Sequence, residues 1–122
     1  MTRLMTMTTF TLLLTTAAAF AEAPVKAMGG VLTNAEGMTL YTFDKDADGV
    51  SNCTGDCAGV WPPFAAAADA AGDTEYTIID RADGTKQWAY DGKPMYTFAN
   101  DAKAGDMAGD GVKGVWHVIK AE

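Results

Sequence analysis

Residues Tyr41–Asp46 read YTFDKD, and Tyr96–Asp101 read YTFAND. The match extends well beyond these six letters. At a constant offset of 55 residues, Gly37–Trp61 and Gly92–Trp116 align without a gap and share nine identities in 25 positions. Gly37, Tyr41, Thr42, Phe43, Asp46, Ala47, Gly59, Val60 and Trp61 return as Gly92, Tyr96, Thr97, Phe98, Asp101, Ala102, Gly114, Val115 and Trp116. The identities cluster at both ends of the window, which marks an internal duplication.

Each copy carries the pattern of a hairpin. Val31–Thr33 is followed by the turn-rich Asn34–Gly37 and then by Thr39–Phe43. In the second copy Thr85–Tyr90 leads through Asp91-Gly92, a strong turn signal, into Met95–Phe98. Alternation along a strand places Tyr41 and Phe43 on one face, with Leu40 and Thr42 on the other, and the same holds for Tyr96 and Phe98. Thr74–Asp80 and the turn Arg81–Gly84 read as a further strand and turn, and Val115–Lys120 as the last strand. The Ala-rich stretch Phe64–Gly72 reads as a short helix or a connector, with helix preferred. Short strands separated by Gly-rich turns predict a small all-β domain of two pseudo-symmetric hairpin repeats, with Trp61 and Trp116 in equivalent core positions.

The N-terminus reads differently. Arg3 is followed by the apolar run Phe10–Ala21 and by Ala19-Phe20-Ala21, the pattern of a secretory leader with a small-residue cleavage site. Twelve residues are too few to span a bilayer, which takes roughly twenty. Residues 1–21 are therefore read as a signal peptide and 22–122 as the secreted domain, periplasmic or released. The two cysteines, Cys53 and Cys57, lie far from the cleavage site, so no lipid anchor is expected. The chain has 9 Lys and Arg against 16 Asp and Glu, a formal net charge of −7. An acidic balance argues against nucleic acid and anionic lipid as partners, since both require a basic face. No later segment is apolar enough for membrane insertion.

Tyr41-x-Phe43-x-x-Asp46 and Tyr96-x-Phe98-x-x-Asp101, with Cys53-x-x-x-Cys57 and Trp61-Pro62-Pro63 between them, resemble the bacterial secreted repeat. This is the family of predicted lipoproteins with a Tyr-x-aromatic-x-x-Asp motif. Gly92-Lys93-Pro94-Met95-Tyr96 and Trp116-His117-Val118 carry the resemblance through the second half, so it covers about Val31 to Lys120. The resemblance implies export and paired repeats, and it implies no particular biochemical activity. The chain departs from the lipoprotein members in lacking a Cys after the leader, and in the density of acids around Asp46.

Three sets of residues are candidates for chemistry. An exported chain with two cysteines four apart and a Gly between them is expected to join them as a structural disulfide. The alternative is a soft-metal site in which Cys53, Cys57 and the single His117 hold copper, with Met28, Met38, Met95 or Met107 as further donors. Asp44, Asp46, Asp48 and Gly49 spell Asp-x-Asp-x-Asp-Gly, the opening of a calcium loop. Against an EF-hand, the twelfth position counted from Asp44 is Gly55, where a bidentate Glu belongs. Asp44 and Asp48 have Ala99 and Lys103 as counterparts, so any calcium site is an addition of the first copy. Asp46, which does return, is expected to accept hydrogen bonds from backbone N–H groups of the turn after its strand. No nucleophile–base motif surrounds His117 and no Gly-rich loop joins a strand to a helix. The chain is accordingly read as a non-enzyme.

Overall fold

The computed structural model describes residues 23–121, so the expected leader lies outside the described residues. Eight short strands are present: β1 (Lys26–Met28), β2 (Val31–Thr33), β3 (Tyr41–Phe43), β4 (Ala65–Ala66), β5 (Tyr76–Asp80), β6 (Lys86–Tyr90), β7 (Lys93–Pro94) and β8 (Trp116–Val118). One five-residue helix, α1 (Asp56–Val60), and a 3₁₀ turn (Val112–Gly114) complete the regular structure among the described residues. The helix and the 3₁₀ turn occupy corresponding places in the two copies. The chain is a small all-β domain built on a duplication.

Turn chemistry sets the local pairings. Asp91 and Gly92 both adopt positive φ (50° and 79°), the two-residue geometry whose twist suits a tight hairpin, and they join β6 to β7. Asn34 accepts hydrogen bonds on its side-chain oxygen from the N–H groups of Glu36 and Met38, which turns the chain after β2. β5 and β6 pair antiparallel over five residues, from Tyr76 opposite Tyr90 to Asp80 opposite Lys86.

The expected hairpins form at their turns and then part. Thr33 and Thr39 bridge, and Leu40 N–H donates to Leu32 O, but β3 then leaves β2 and pairs antiparallel with β8. In the second copy Tyr96 bridges to Pro63, and the Thr97 and Ala99 N–H groups donate to Pro62 O and Val60 O. The Asp44 N–H donates to Val115 O in the matching way. Each copy's Tyr-x-Phe strand therefore pairs with the segment that follows the other copy's loop. The two tyrosines meet at the seam, with Tyr41 N–H donating to Tyr96 O and Tyr96 N–H to Tyr41 O, at 2.8 and 2.9 Å.

Alternation along these strands divides the interior into two cores. Leu40 and Met95 point into one, with Leu32, Phe64, Trp88 and Ile119. Tyr41, Tyr96 and Phe98 point into the other, with Cys53, Trp61 and Trp116. The corresponding residues Phe64 and Ile119 fall in the same core, and so do Trp61 and Trp116.

The helix expected over Phe64–Gly72 does not form. Phe64 N–H donates to Met95 O and Phe64 O accepts from Trp88 N–H, which holds the chain extended as Ala65 and Ala66 pair with Gln87 and Lys86. Alanine's helix preference is worth at most a few tenths of a kcal/mol per residue, less than the cost of withdrawing Phe64 from its core. The helix lies instead at Asp56–Val60, beside the Cys53–Cys57 disulfide, whose Cα atoms are 5.2 Å apart. Closing that short ring is worth about 2 kcal/mol on the chain-entropy account. Replacing both cysteines with Ala is therefore expected to lower unfolding free energy by about that amount, measured by chemical denaturation against the oxidised protein. An unchanged midpoint would show that the ring contributes no net stability.

Candidate functional site

The second core is organised around a column of rings. Phe43 stacks on Trp116 at 4.2 Å, Trp116 on Trp61 at 3.7 Å and 3° from parallel, and Trp61 on Phe98 at 4.1 Å. The order alternates between copies, so the pseudo-twofold axis passes between the two indoles. Tyr41 meets Trp61 edge-on at 5.3 Å, and Tyr96 meets Trp116 edge-on at 5.2 Å, the arrangement favoured when a ring's positive edge faces another's negative face.

Both tyrosines are fully buried and must satisfy their hydroxyls inside the protein. They do so across the repeat. Tyr41 donates to Asp101 Oδ2 and Tyr96 donates to Asp46 Oδ2, each at 2.6 Å. The short distance fits a charge-assisted bond to an ionised acceptor. The other oxygen of each carboxylate holds the loop after its own strand, Asp46 Oδ1 accepting from Asn52 N–H at 2.6 Å and Asp101 Oδ1 from Ala108 N–H at 2.9 Å. One aspartate thus ties its own loop to the partner copy's strand.

The two pairs are completed differently. Gly109 N–H donates to Tyr41 Oη at 3.2 Å. A Cβ at Gly109 would fall 2.7 Å from the Trp61 ring, so the close approach requires glycine. Tyr96 instead meets the Ser51 hydroxyl at 2.6 Å. Arg81 donates to Ser51 Oγ, Gln87 Oε1 and Cys53 O. Since Tyr96 spends its proton on Asp46 and Arg81 donates to Ser51, the serine proton points to Tyr96. A directed chain runs from the Arg81 guanidinium through Ser51 and Tyr96 to Asp46. Nothing in the sequence singled out Arg81, Ser51 or Gln87: an arginine at a turn reads as a surface charge until the fold buries it.

Burial pushes both phenols well above the ordinary tyrosine value, and the carboxylate beside each raises them further. Burial also raises Asp46 above the usual carboxylate value, although the bonds from Tyr96 and Asn52 and the Arg81 charge act against it. Among the described residues, no buried side-chain nitrogen or oxygen lacks a partner.

The other sequence candidates are placed as follows. Asp44, Asp46 and Asp48 line one groove of about 330 Å³ with Asp91 and Lys93. Within it they are engaged separately: Asp44 pairs with His117 Nε2 at 2.7 Å, Asp46 holds Tyr96 and Asn52, and the Asp48 carboxylate lies where a Cβ on Gly92 would project. The described residues contain no group of three or more His, Cys, Asp or Glu arranged to hold a metal ion. The cysteine sulfurs are bonded to each other, while His117 faces Asp44 rather than completing a set with them. No helix among the described residues is long and apolar enough to cross a membrane.

The sequence profile of a family described as a secreted repeat of unknown function matches residues 24–65 and again residues 77–120. The first match ends in β4 and the second takes in β6, β7 and β8, so the two cover the two copies. No curated protein matches the chain, and no solved structure does.

Crossed pairing has a direct test in double-mutant cycles. Tyr41→Phe and Tyr96→Phe should each cost about 1.5–3 kcal/mol, the worth of a hydrogen bond to a charged group. Tyr41→Phe should couple with Asp101→Asn, and Tyr96→Phe with Asp46→Asn, whereas Tyr41→Phe with Asp46→Asn should be additive. Coupling within a motif rather than across the copies would refute the crossing. The phenols also set an alkaline limit. An unfolded tyrosine releases its proton near pH 10 while the folded ones retain theirs, so stability is intact below about pH 10 and falls above it by about 1.4 kcal/mol per pH unit per tyrosine. Phenolate absorbance from Tyr41 and Tyr96 should therefore appear only with loss of near-UV circular dichroism.

Proposed function

Since the chain belongs to the family of secreted repeats, we propose that it is an exported, non-catalytic module that acts by binding at the cell envelope, in the periplasm or outside the cell. One observation carries this reading: among the described residues, the buried groups with chemistry to offer are committed to the scaffold, and the exposed His117 is paired with Asp44. Tyr41, Tyr96, Asp46 and Asp101 satisfy one another, Cys53 and Cys57 are joined, and Arg81 is held by Ser51, Gln87 and the Cys53 carbonyl. Catalysis needs a nucleophile, acid or base poised toward substrate, whereas a binding module needs a rigid frame and variable loops on its surface. The first copy's loop, with Asp44 and Asp48 unmatched in the second, is such a surface feature.

Isolation of the protein from its native compartment tests this reading. The expected product is released with the soluble envelope fraction, begins at Glu22, carries an intact mass two hydrogens below the reduced chain, and contains no stoichiometric metal. Calcium bound in proportion to protein, and lost on Asp48→Ala, would replace this reading with a metal-handling one. Copper bound through Cys53, Cys57 and His117, with the full reduced mass, would do the same.

A further inference from the structure

The second core joins two features: a pair of stacked indoles and, touching each, a phenol already bonded to a base. Removing an electron from a tryptophan leaves a positive charge on the ring, and overlap of two parallel rings spreads that charge. Trp61 and Trp116, 3.7 Å apart and 3° from parallel, have the geometry for this sharing. A tyrosine is hard to oxidise unless its proton can leave as the electron does, because the protonated phenoxyl cation is very acidic. Tyr41 and Tyr96 each hold that proton 2.6 Å from a carboxylate oxygen, and each lies edge-on to one of the two indoles.

We infer that Trp61, Trp116, Tyr41 and Tyr96 form a one-electron relay that accepts oxidising equivalents from small anionic radicals and stores them as a neutral phenoxyl. The oxidant takes one electron from the indole pair, leaving a tryptophan radical cation. An electron then passes from Tyr41 or Tyr96 to that cation and restores the tryptophan. The phenolic proton moves to Asp101 or Asp46 in the same step, leaving a neutral phenoxyl beside a neutral carboxylic acid. A radical cation and a carboxylate thus become two neutral groups, which suits a buried site where separated charge is costly. The storage is stoichiometric, one electron per event, and goes beyond the binding role without depending on it.

Access is provided by a groove of about 340 Å³ that reaches both tryptophans, with Lys45 and Lys113 against the single carboxylate of Asp56 among its lining charges. Two ammonium groups to one carboxylate favour an anion in an otherwise acidic protein. The arrangement is also doubled: either indole has its own phenol, and either phenol its own base.

Pulse radiolysis with the carbonate radical anion tests the relay on the intact oxidised protein. The radical is reduced to carbonate by the electron it takes. Tryptophan radical absorbance should decay as phenoxyl absorbance rises, in a first-order process independent of protein concentration and slower in D₂O. In Tyr41→Phe/Tyr96→Phe that keeps the near-UV circular dichroism of the wild type, the concentration-independent rise should vanish and the tryptophan radical should persist, while either single variant should keep part of the rise. In Asp46→Asn/Asp101→Asn, if it folds, transfer should slow by about tenfold or more, as expected on loss of a positioned base. Wild-type decay that is bimolecular throughout, or a phenoxyl rise unchanged in the double Phe variant because Tyr76 or Tyr90 supplies the electron, would overturn the proposal.

Discussion

Two hydrogen bonds of 2.6 Å, from Tyr41 to Asp101 and from Tyr96 to Asp46, constrain the rest of this structure. A buried phenol needs an acceptor, and a carboxylate drawn from water needs donors. Each aspartate meets both demands by accepting the other copy's tyrosine on one oxygen and its own loop's backbone on the other. Neither copy can satisfy its motif alone. Folding of one half supplies the acceptor that the other requires, so the repeats interlock rather than sit side by side.

The same crossing fixes the aromatic column. With the tyrosines paired back to back through their main chains, the two Trp-bearing segments are drawn to the axis and the indoles stack. Phe43 and Phe98, two residues along the same strand faces, close the ends of the column. Alternation sends Leu40 and Met95 the opposite way into a separate core with Leu32, Phe64, Trp88 and Ile119. Two small cores on the two faces of one seam bury all three tryptophans of the described residues without a long helix or a wide sheet among them.

The copies depart from one another at the edges of this frame. The first adds the disulfide, the helix beside it, and Ser51, which Arg81 from the second copy backs behind Tyr96. The second replaces these with a 3₁₀ turn and with Gly109, whose missing side chain lets its N–H reach Tyr41 past the Trp61 ring. A hydroxyl backed by a guanidinium and a bare backbone amide do the same work on equivalent phenols. Symmetry therefore resides in the motif residues, while the means of supporting them were free to diverge.

Much of this was legible in the sequence, and the limit has a physical cause. The offset between Tyr41-x-Phe43-x-x-Asp46 and Tyr96-x-Phe98-x-x-Asp101 established duplication, period-two alternation gave the strand faces, and Asp91-Gly92 gave its turn, because these depend on residues near in the chain. The Ala-rich stretch after Phe64 misled because local preference is weak and Phe64 is held by Met95 and Trp88, which lie far along the chain. In the acidic loop the repeat separated Asp46 from the unmatched Asp44 and Asp48, but their partners lie far along the chain: the fold sends Asp44 to His117, Asp46 to Tyr96 and Asp48 to the Gly92 turn. The sequence by itself determined that two copies exist and which residues they share. Only the tertiary structure decided that each tyrosine bonds the other copy's aspartate, because that choice rests on how two strands meet at a seam, which no spacing along one chain records.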